Sequence, residues 1–418
     1  MHVRIRLLGR SCWLCERPKM RVAMLAYAFC ESDTRILQYS RALAERGDTV
    51  DVIALRKEGT SAFETMDGVN LHRIQLRRVD EQTQLAYAVR ILRFLVMSAI
   101  VLTRKHLARR YNVIHIHNVP DFLVFAALIP KLMGARVILD IHDIVPEFYC
   151  SKFRTTRDSR LVRLLVLIEK LSIAFSSHVI IANDIWRERI ISRSAHSSKC
   201  TTILNYPDSR IFYLRPRAKL NGNFLLLYPG SLNTHQGVDV AIRAFAQVVR
   251  QVPKAEFQIY GEGPTKAGLR RLADDLGLSE RVTFHGFLPT NEIAEVMAKA
   301  DCGVVPKRAG SIFGNEAAST KIMEFMALGV PVVVSRTKVD SLYHDESRVK
   351  FFESENESDL ATSILLLQRD PHSCAELVAN ALRYVEQNSW EERKHDYLNL
   401  VDLLAFRARR PNPRRATA

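Results

Sequence analysis

Short runs rich in β-branched residues recur along the whole chain, and a stretch with helical periodicity follows most of them. This alternation is typical of parallel α/β units, in which a helix carries the chain from one strand to the next. Turn-forming residues interrupt the pattern between Asn205 and Asn223, so each half is expected to form its own doubly wound sheet. The predicted strands are 22–27, 50–55, 113–117, 137–141, 179–182 and 202–204 in the first half, and 224–228, 257–260, 282–284, 303–305, 331–334 and 349–352 in the second.

The length of 418 residues is also more than one ordinary hydrophobic core accommodates. Two helices are predicted near the end of the chain, over 372–387 and 390–406. The first nineteen residues have neither the apolar core nor the cleavage site of a signal peptide and are left unassigned. The expected organisation is an extension at 1–19, domains at 20–212 and 213–388, a C-terminal helix at 389–410 and a disordered tail at 411–418.

The net charge of +15 is concentrated in the first half of the chain, where residues 1–210 carry +13 and residues 211–418 carry +2. This asymmetry indicates an anionic partner for the N-terminal half, either nucleic acid or anionic lipid. Because no nucleic-acid module with interleaved aromatic residues is recognisable, we expect no nucleic acid and favour a peripheral contact with lipid. The seven cysteines are odd in number and scattered, which indicates reduced thiols and a cytoplasmic protein.

Two basic and apolar segments bear on the membrane question. The predicted helix over 85–107 combines Arg90, Arg93, Arg104 and Lys105 with apolar residues, which suits a helix lying in a membrane interface; the alternative is a helix packed on its own sheet. Its longest apolar run, 94–102, is too short to span a bilayer. A second basic series precedes an apolar run at 164–168, with a solvated helix face as the alternative; its members are Arg154, Arg157, Arg160 and Arg163.

Two glutamates eight positions apart flank a predicted helix start. Ser319 or Thr320 is a good N-cap, and Gly329 followed by Pro331 ends the helix, so a helix is predicted over 321–328. This places Glu316 in the preceding loop and Glu324 one turn inside the helix. Free N–H groups at a helix start, together with the Lys321 charge, favour a phosphate, and carboxylates accept from sugar hydroxyls. The alternative is that both acids are merely solvated.

This segment and several others resemble, in order, the retaining glycosyltransferases of family 4. The two glutamates match the E-x7-E motif of that family, and Gly329-Val330-Pro331-Val332-Val333 matches the stretch that ends it. The resemblance runs from about Arg21 to Phe406. Other matching segments are Tyr228-Pro229-Gly230-Ser231, 237–245, Ile259-Tyr260-Gly261-Glu262-Gly263-Pro264 and 281–287.

The resemblance implies the GT-B fold, in which two Rossmann-like parallel-sheet domains face each other across a cleft and a C-terminal helix crosses back to the N-terminal domain. It also implies site residues. Those expected to act in catalysis are Glu316, His142 and Lys321. Those expected to bind the donor are Glu324, Ser319, Thr320, Gly314, Asn315, Gly230, Ser231, Gly261, Lys307, Arg308, His285, Gly286 and Phe287.

The acceptor side is expected in the N-terminal half, where Asp33 and Arg35 resemble the D-x-R that begins the first helix in many family members; a helix cap beside a charge is the alternative. His115 and His117 alternate along a predicted strand and are predicted to be structural. Many family members place basic residues where this chain has Ser231 and Gln236. Because the diphosphate leaving group still needs positive charge, Lys321, Lys307 and Arg308 are the predicted substitutes.

The expected activity is that of a metal-independent retaining hexosyltransferase. Its donor would be a nucleotide diphosphate sugar, a co-substrate rather than a cofactor, and its acceptor a glycan or a lipid-linked glycan at the inner face of the cell membrane. Such an enzyme would serve surface polysaccharide or glycolipid biosynthesis. Two alternatives remain open: a non-hydrolysing nucleotide-sugar epimerase of the same fold, and a catalytically weak module that binds nucleotide sugars or membranes.

Overall fold

The computed structural model describes residues 19–77, 84–153, 158–216 and 223–409. The extension at 1–18, the tail at 410–418, Arg154 and Arg157 therefore lie outside the described residues. The first half forms an eight-stranded sheet in the order β3-β4-β2-β1-β5-β6-β7-β8. Its strands are β1 (Arg21–Leu25), β2 (Thr49–Arg56), β3 (Phe63–Met66), β4 (Val69–Leu76), β5 (Val113–His117), β6 (Arg136–Ile141), β7 (His178–Ile181) and β8 (Cys200–Thr202).

The second half forms a six-stranded sheet in the order β11-β10-β9-β12-β13-β14, and its neighbouring strands all pair in parallel. Its strands are β9 (Leu225–Pro229), β10 (Glu256–Tyr260), β11 (Val282–His285), β12 (Cys302–Val305), β13 (Val332–Ser335) and β14 (Lys350–Phe352). Both halves thus contain every strand that the sequence predicted, and the expectation of two doubly wound α/β sheets is confirmed.

The sequence prediction missed one hairpin, formed by β3 and β4 at the outer edge of the first sheet, where they pair antiparallel. Asp67 and Gly68 connect them with positive φ angles of 51° and 75°. Such a dipeptide is the usual sign of a two-residue hairpin turn. The signal was therefore present in the sequence.

The helices lie between the strands in the expected alternation. In the first half they are α1 (Thr34–Glu45), α2 (Gln84–Ala108), α3 (Leu128–Leu132), α4 (Val145–Phe153), α5 (Arg160–Phe175) and α6 (Asp184–Arg193). In the second half they are α7 (Val238–Gln251), α8 (Lys266–Asp275), α9 (Thr290–Met297), α10 (Ile312–Glu316), α11 (Thr320–Ala327), α12 (Lys338–Tyr343), α13 (Glu357–Arg369), α14 (Pro371–Gln387) and α15 (Trp390–Arg409).

Helix α15 leaves the second half and packs on the first sheet beside α1. Tyr397 stacks on Tyr39 of α1, with ring centroids 4.1 Å apart, and Trp390 meets the same ring edge-on at 5.2 Å. These side chains share a core with Val22 and Met24 of β1. The C-terminal helix therefore crosses back to the N-terminal domain, as expected for the GT-B fold.

Helix α2 lies on the opposite face of the same sheet. Ile91, Phe94 and Leu102 are buried in the core beneath it, whereas its outer face exposes several large apolar side chains. By length and composition the segment Ala86–Ala108 is long and apolar enough to cross a membrane. The length of its longest uninterrupted apolar run, 94–102, had predicted instead that it is too short for this. The buried face nevertheless joins α2 to its own domain, as expected for a helix packed on its own sheet. The opposite face of the helix is an exposed apolar surface.

Candidate active site

In each sheet the strand order reverses at one point, and ligands of such folds bind in the crevice there, outside the carboxyl ends of the strands. In the second sheet this point lies between β9 and β12, and in the first between β1 and β5. The loop after β9 begins at Gly230 and the loop after β12 contains Lys307. The predicted donor-binding loops therefore lie at the reversal point.

The loops after β9 and β10 lie against each other with almost no space between their backbones. Gly230 and Gly261 have φ angles of 143° and 151°, which side-chain-bearing residues rarely adopt. A Cβ atom on Gly261 would lie 1.9 Å from the carbonyl oxygen of Gly230. Glycine at these positions lets the two loops close into one surface of exposed backbone, on which Ser231 is also exposed.

Lys321 extends from α11 to this surface. A Cβ atom added to Gly230 would lie 2.9 Å from the lysine Nζ, which also donates to Oε1 of Gln236 at 3.2 Å. The ammonium lies 5.2 Å from the centre of the Tyr228 ring. Burial lowers the pKa of Lys321 to about 8, because a charged ammonium is poorly solvated here; Glu324 opposes this effect and Lys307 adds to it. One cation thus lies directly against the Gly230 loop.

The N-terminus of α11 carries the other predicted phosphate ligands. Ser319 occupies the N-cap position, but its side chain makes no capping hydrogen bond, and its hydroxyl oxygen is buried without a partner among the residues that the structure describes. Thr320 begins the helix, one residue earlier than predicted. One turn further on, burial raises the pKa of Glu324 to about 7, against the opposing influence of Lys321 and Thr320.

Lys307 and Arg308, the other proposed substitutes for the missing basic residues, are engaged in ion pairs. Buried Lys307 lies 2.8 Å from a carboxylate oxygen of Asp340 and donates to the carbonyl of Ala317 at 2.7 Å. Arg308 pairs with Asp239 and Glu355. Because both cations are already neutralised, the structure brings only Lys321 of the three predicted substitutes to the Gly230 loop with its charge available.

The expectation that Glu316 lies in a loop is wrong, since it is the last residue of α10 and is buried. Its carboxylate forms an ion pair with Arg189 of α6, whose Nη2 lies 2.5 Å from Oε2. The side-chain amide of Asn183 donates to the backbone carbonyl of Glu316 at 3.0 Å. These contacts join the two domains across the cleft, and no sequence motif singled out Arg189 or Asn183.

Three other residues of this segment have structural contacts. A Cβ atom on Gly314 would lie 2.3 Å from the carbonyl oxygen of Arg308, so this position also needs glycine. The Asn315 side chain accepts from the backbone of Lys338 at 2.7 Å. Phe313 packs between Trp186 and Phe148 of the N-terminal domain, with ring centroids 5.8 Å and 5.3 Å away. The segment before α11 is therefore a domain contact as much as a ligand-binding loop.

His142 follows β6, the strand next to β5, so it lies one strand away from the reversal point of the first sheet. Its backbone N–H donates to Oδ1 of Asn118 at 3.1 Å. Its Nδ1 is buried and has no hydrogen-bond partner within the described ranges. Burial lowers the pKa of the imidazole, and the charges of Asp140 and Asp33 act against this effect. A neutral imidazole with an unused nitrogen is suited to a hydrogen bond with a ligand.

Asp33 and Arg35 have internal partners. The Asp33 carboxylate caps α1 by accepting from the backbone N–H groups of Arg35 and Ile36, both at 3.1 Å, which is the helix-cap alternative. The Arg35 guanidinium is buried and forms two hydrogen bonds to Asp140, at 2.7 and 2.8 Å. As placed, Arg35 neutralises a buried carboxylate and does not face an acceptor.

The same carboxylate has two histidine neighbours. His117 Nδ1 and His115 Nε2 lie 3.3 and 3.5 Å from Oδ2 of Asp140, and the three side chains are close enough to hold a metal ion. The Arg35 guanidinium holds the pKa of Asp140 well below its usual range, and burial lowers the pKa of His115 to about 3. Because Arg35 already supplies the positive charge, the cluster is suited to structural use, as predicted for both histidines.

The predicted nucleobase-binding residues follow β11 at the outer end of the same edge. The His285 ring stacks on Tyr260 with centroids 4.3 Å apart and an interplanar angle of 13°. Gly286 and Phe287 are exposed, and 73% of the Phe287 surface faces solvent. Aromatic surface is thus available there for a planar ring.

Two Rossmann-like sheets that face each other, with a glycine cradle and a partly buried lysine at the edge of the second, define a GT-B protein. Residues 211–384 match the family described as Glycosyl transferases group 1, and residues 32–205 match the Glycosyl transferase 4-like domain. The chain belongs to the family 4 type of glycosyltransferases.

The chain is similar in sequence to one curated relative over part of its length, and in fold to two solved structures. It is 34% identical over 132 residues to the GDP-mannose-dependent alpha-(1-6)-phosphatidylinositol monomannoside mannosyltransferase of Mycolicibacterium smegmatis. The matched region covers 31% of this chain and 34% of that protein. The sucrose-phosphate synthase of Thermosynechococcus elongatus superposes with a TM-score of 0.73 at 18% identity, covering 93% of this chain and all of that one. Anabaena Alr3699/HepE, solved with UDP and glucose, gives a TM-score of 0.69 at 18% identity and covers 92% and 99% of the two chains.

Proposed function

We propose that the protein transfers a sugar from a nucleotide diphosphate sugar to a glycan or lipid-linked acceptor, in the biosynthesis of a surface polysaccharide or glycolipid. The observation that carries this proposal is the position of the Lys321 ammonium against Gly230, at the start of α11 and beside Glu324. A diphosphate seated there would receive backbone N–H groups, the helix terminus and one cation. The family supports the donor class, and the name of the mannosyltransferase supports a lipid-linked acceptor.

The proposed reaction retains the configuration of the donor. The bond between C1 of the sugar and the leaving phosphate oxygen breaks, a bond from C1 to the acceptor oxygen forms on the same face, and the acceptor proton passes to the leaving phosphate. Glu316 is paired with Arg189 and is therefore poorly placed to attack C1 as a nucleophile. In this scheme Lys321 stabilises charge on the leaving group, and His142 hydrogen-bonds the donor sugar.

Lys321 and the α11 terminus would take the place of a divalent cation, so activity is expected without added metal. The location is expected to be the cytoplasm, peripheral on the inner face of the cell membrane. The five described cysteines, at 30, 150, 200, 302 and 374, form no disulfide among the described residues, which is compatible with a reducing compartment.

A panel of UDP- and GDP-sugars tested for binding and slow hydrolysis examines this proposal. Lys321→Ala and Glu324→Ala should each lower the affinity for the preferred donor, whereas Lys254→Ala, an exposed lysine elsewhere in the same domain, should not. Unchanged affinity in both site variants would refute the assignment. Epimerisation of the free nucleotide sugar without transfer would favour the epimerase alternative instead.

A further inference from the structure

A basic cavity of about 510 Å³ lies at the outer part of the first sheet, where β2 and β4 end beside α2. It opens on the same carboxyl edge of the sheet as the loop after β1. Polar side chains from three elements line it: Arg56, Arg73, Gln75, Arg90 and Arg93. Four guanidinium groups around one cavity favour a multiply charged anion.

The arginines differ in how far their charge is already neutralised. Arg73 is buried between Glu31 and Glu64, at 2.7 Å from the latter. Arg56 and Arg93, by contrast, have no carboxylate partner in the described part of the chain. The cavity therefore has positive charge available for a ligand.

Gln75 supplies a second kind of group. It is 7% exposed, and its side-chain amide donates to the backbone carbonyl of Arg90 at 3.1 Å. Its Oε1 is buried and accepts no hydrogen bond from any residue that the structure describes. A buried acceptor without a partner is costly, and a ligand hydroxyl would satisfy it. The cavity thus suits a ligand with both an anionic group and a hydroxyl.

Helix α2 places this cavity at the margin of an apolar surface. Val89, Leu92, Val96 and Ile100 are each more than half exposed and lie on the side of the helix opposite its buried face. At 100° per residue, Arg93 and its neighbours Arg90 and Arg104 fall together along one border of this stripe. An apolar face bordered by arginines is the arrangement of a helix that rests on anionic lipid.

The apolar surface continues onto α3 and α5, which share with α2 the outer side of the first sheet. Leu132 of α3 is 76% exposed. In α5, four leucines between 44% and 52% exposed repeat at helical spacing; they are Leu161, Leu164, Leu167 and Leu171. Exposed apolar patches bordered by charged residues are typical of surfaces that contact a membrane or another protein.

We propose that the arginine-lined cavity binds the phosphate-bearing head of a membrane-anchored acceptor, while the apolar face of α2, α3 and α5 rests on the bilayer that holds the lipid tail. This inference rests on the proposed function and specifies its acceptor. Arg73 connects the cavity to the loop after β1 through Glu31, two residues before Asp33. A sugar linked to a phosphate held in the cavity would extend from there along the carboxyl edge of the sheet towards the cleft.

Titration calorimetry with short-chain dihexanoyl phosphatidic acid tests the proposal on the full chain. We expect phosphatidic acid to bind more tightly than dihexanoyl phosphatidylcholine or inorganic phosphate. Arg56→Gln and Arg93→Gln should each weaken binding by about fivefold, the usual effect of one basic residue near anionic lipid. Arg271→Gln, an exposed arginine of the other domain, should leave it unchanged.

Arg56 separates cavity binding from general surface charge, because it lies at the end of β2 and not on the α2 border. Leu92→Ser should reduce sedimentation with vesicles of mixed phosphatidylcholine and phosphatidic acid while leaving the calorimetric affinity unchanged. Equal binding of phosphatidic acid by wild type and Arg56→Gln, or equal binding of inorganic phosphate and phosphatidic acid, would overturn the proposal. The affinity of the same Arg56→Gln protein for a nucleotide sugar should not change. Failure of the wild-type protein to bind any nucleotide sugar of the panel would refute the proposed transferase, and it would not bear on lipid binding by the cavity.

Discussion

The partly buried position of Lys321 predicts an unusual dependence of donor affinity on pH. An ordinary lysine stays charged up to about pH 10, but burial lowers the pKa of Lys321 to about 8. Only the protonated side chain attracts a diphosphate. Affinity should therefore fall as pH rises through 8, because the free protein loses the proton that the complex needs.

The size of this effect follows from the pKa. With a pKa of about 8, the protonated fraction of Lys321 falls from about 0.9 at pH 7 to about 0.1 at pH 9, so the affinity for a nucleotide sugar should drop about tenfold. A nucleotide sugar is the right probe, since its diphosphate has no free terminal phosphate to titrate in this range. Calorimetric titration at half-unit pH steps would trace the curve.

Lys321→Arg provides the control, because a guanidinium keeps its charge throughout this range. The variant should lose most of the pH dependence even where its affinity at pH 7 is lower. Any residual slope then measures titration of the neighbouring Glu324, whose pKa is about 7, or of the nucleobase. A flat curve in the wild type would show that Lys321 does not hold the diphosphate. A curve of the same slope in Lys321→Arg would assign the titration to another group.

Three further substitutions test other parts of the structure. Arg189→Ala should lower the apparent free energy of unfolding by about 2 kcal/mol in thermal denaturation. This is less than for a fully buried ion pair because Arg189 is 20% exposed, and Glu316→Gln should have a similar effect. No change in either variant would show that the contact between the domains is weak. Gly261→Ala should abolish donor binding because the added Cβ atom has no room, whereas Gly268→Ala should be tolerated because no other atom lies within 4 Å of its Cβ position. Equal donor affinity in the two variants would show that the donor does not bind at the Gly230 and Gly261 loops. Asp140→Asn should cost about 3–5 kcal/mol by leaving a buried guanidinium unpaired, seen as loss of soluble protein, and a normally stable variant would refute that role.

Most strands of the two sheets could be predicted from the sequence because they are buried on both faces and read as nearly continuous apolar runs. Val332–Ser335 and Val113–His117 are buried at every position. The missed strand β4 instead alternates buried and partly exposed residues, and its partner β3 is exposed, with Phe63 at 53%. An edge hairpin thus lacks the continuous pattern by which the other strands were found.

The site was only partly predictable, for a different reason. Lys321 reaches Gly230 because the loop after β9 and the start of α11, which follows β12, both lie at the carboxyl edge of the second sheet, and the sheet rule anticipates this edge as the site. The Glu316–Arg189 pair joins residues 127 positions apart, and nothing local to Arg189 signals its partner. Arg35 stands in a motif that suggested an acceptor contact, but its charge is directed inward by Asp140, 105 residues later in the chain.

The return of α15 to the first sheet has a consequence for how the protein is made. Tyr39 of α1 is 1% exposed, and Tyr397 and Trp390 of α15 supply part of the surface that covers it. At about 5–20 residues per second, translation of the residues between β8 and α15 takes roughly 10–40 s. During that interval the first sheet and α1 lack the helix that packs on them, so α15 completes the domain that was synthesised first.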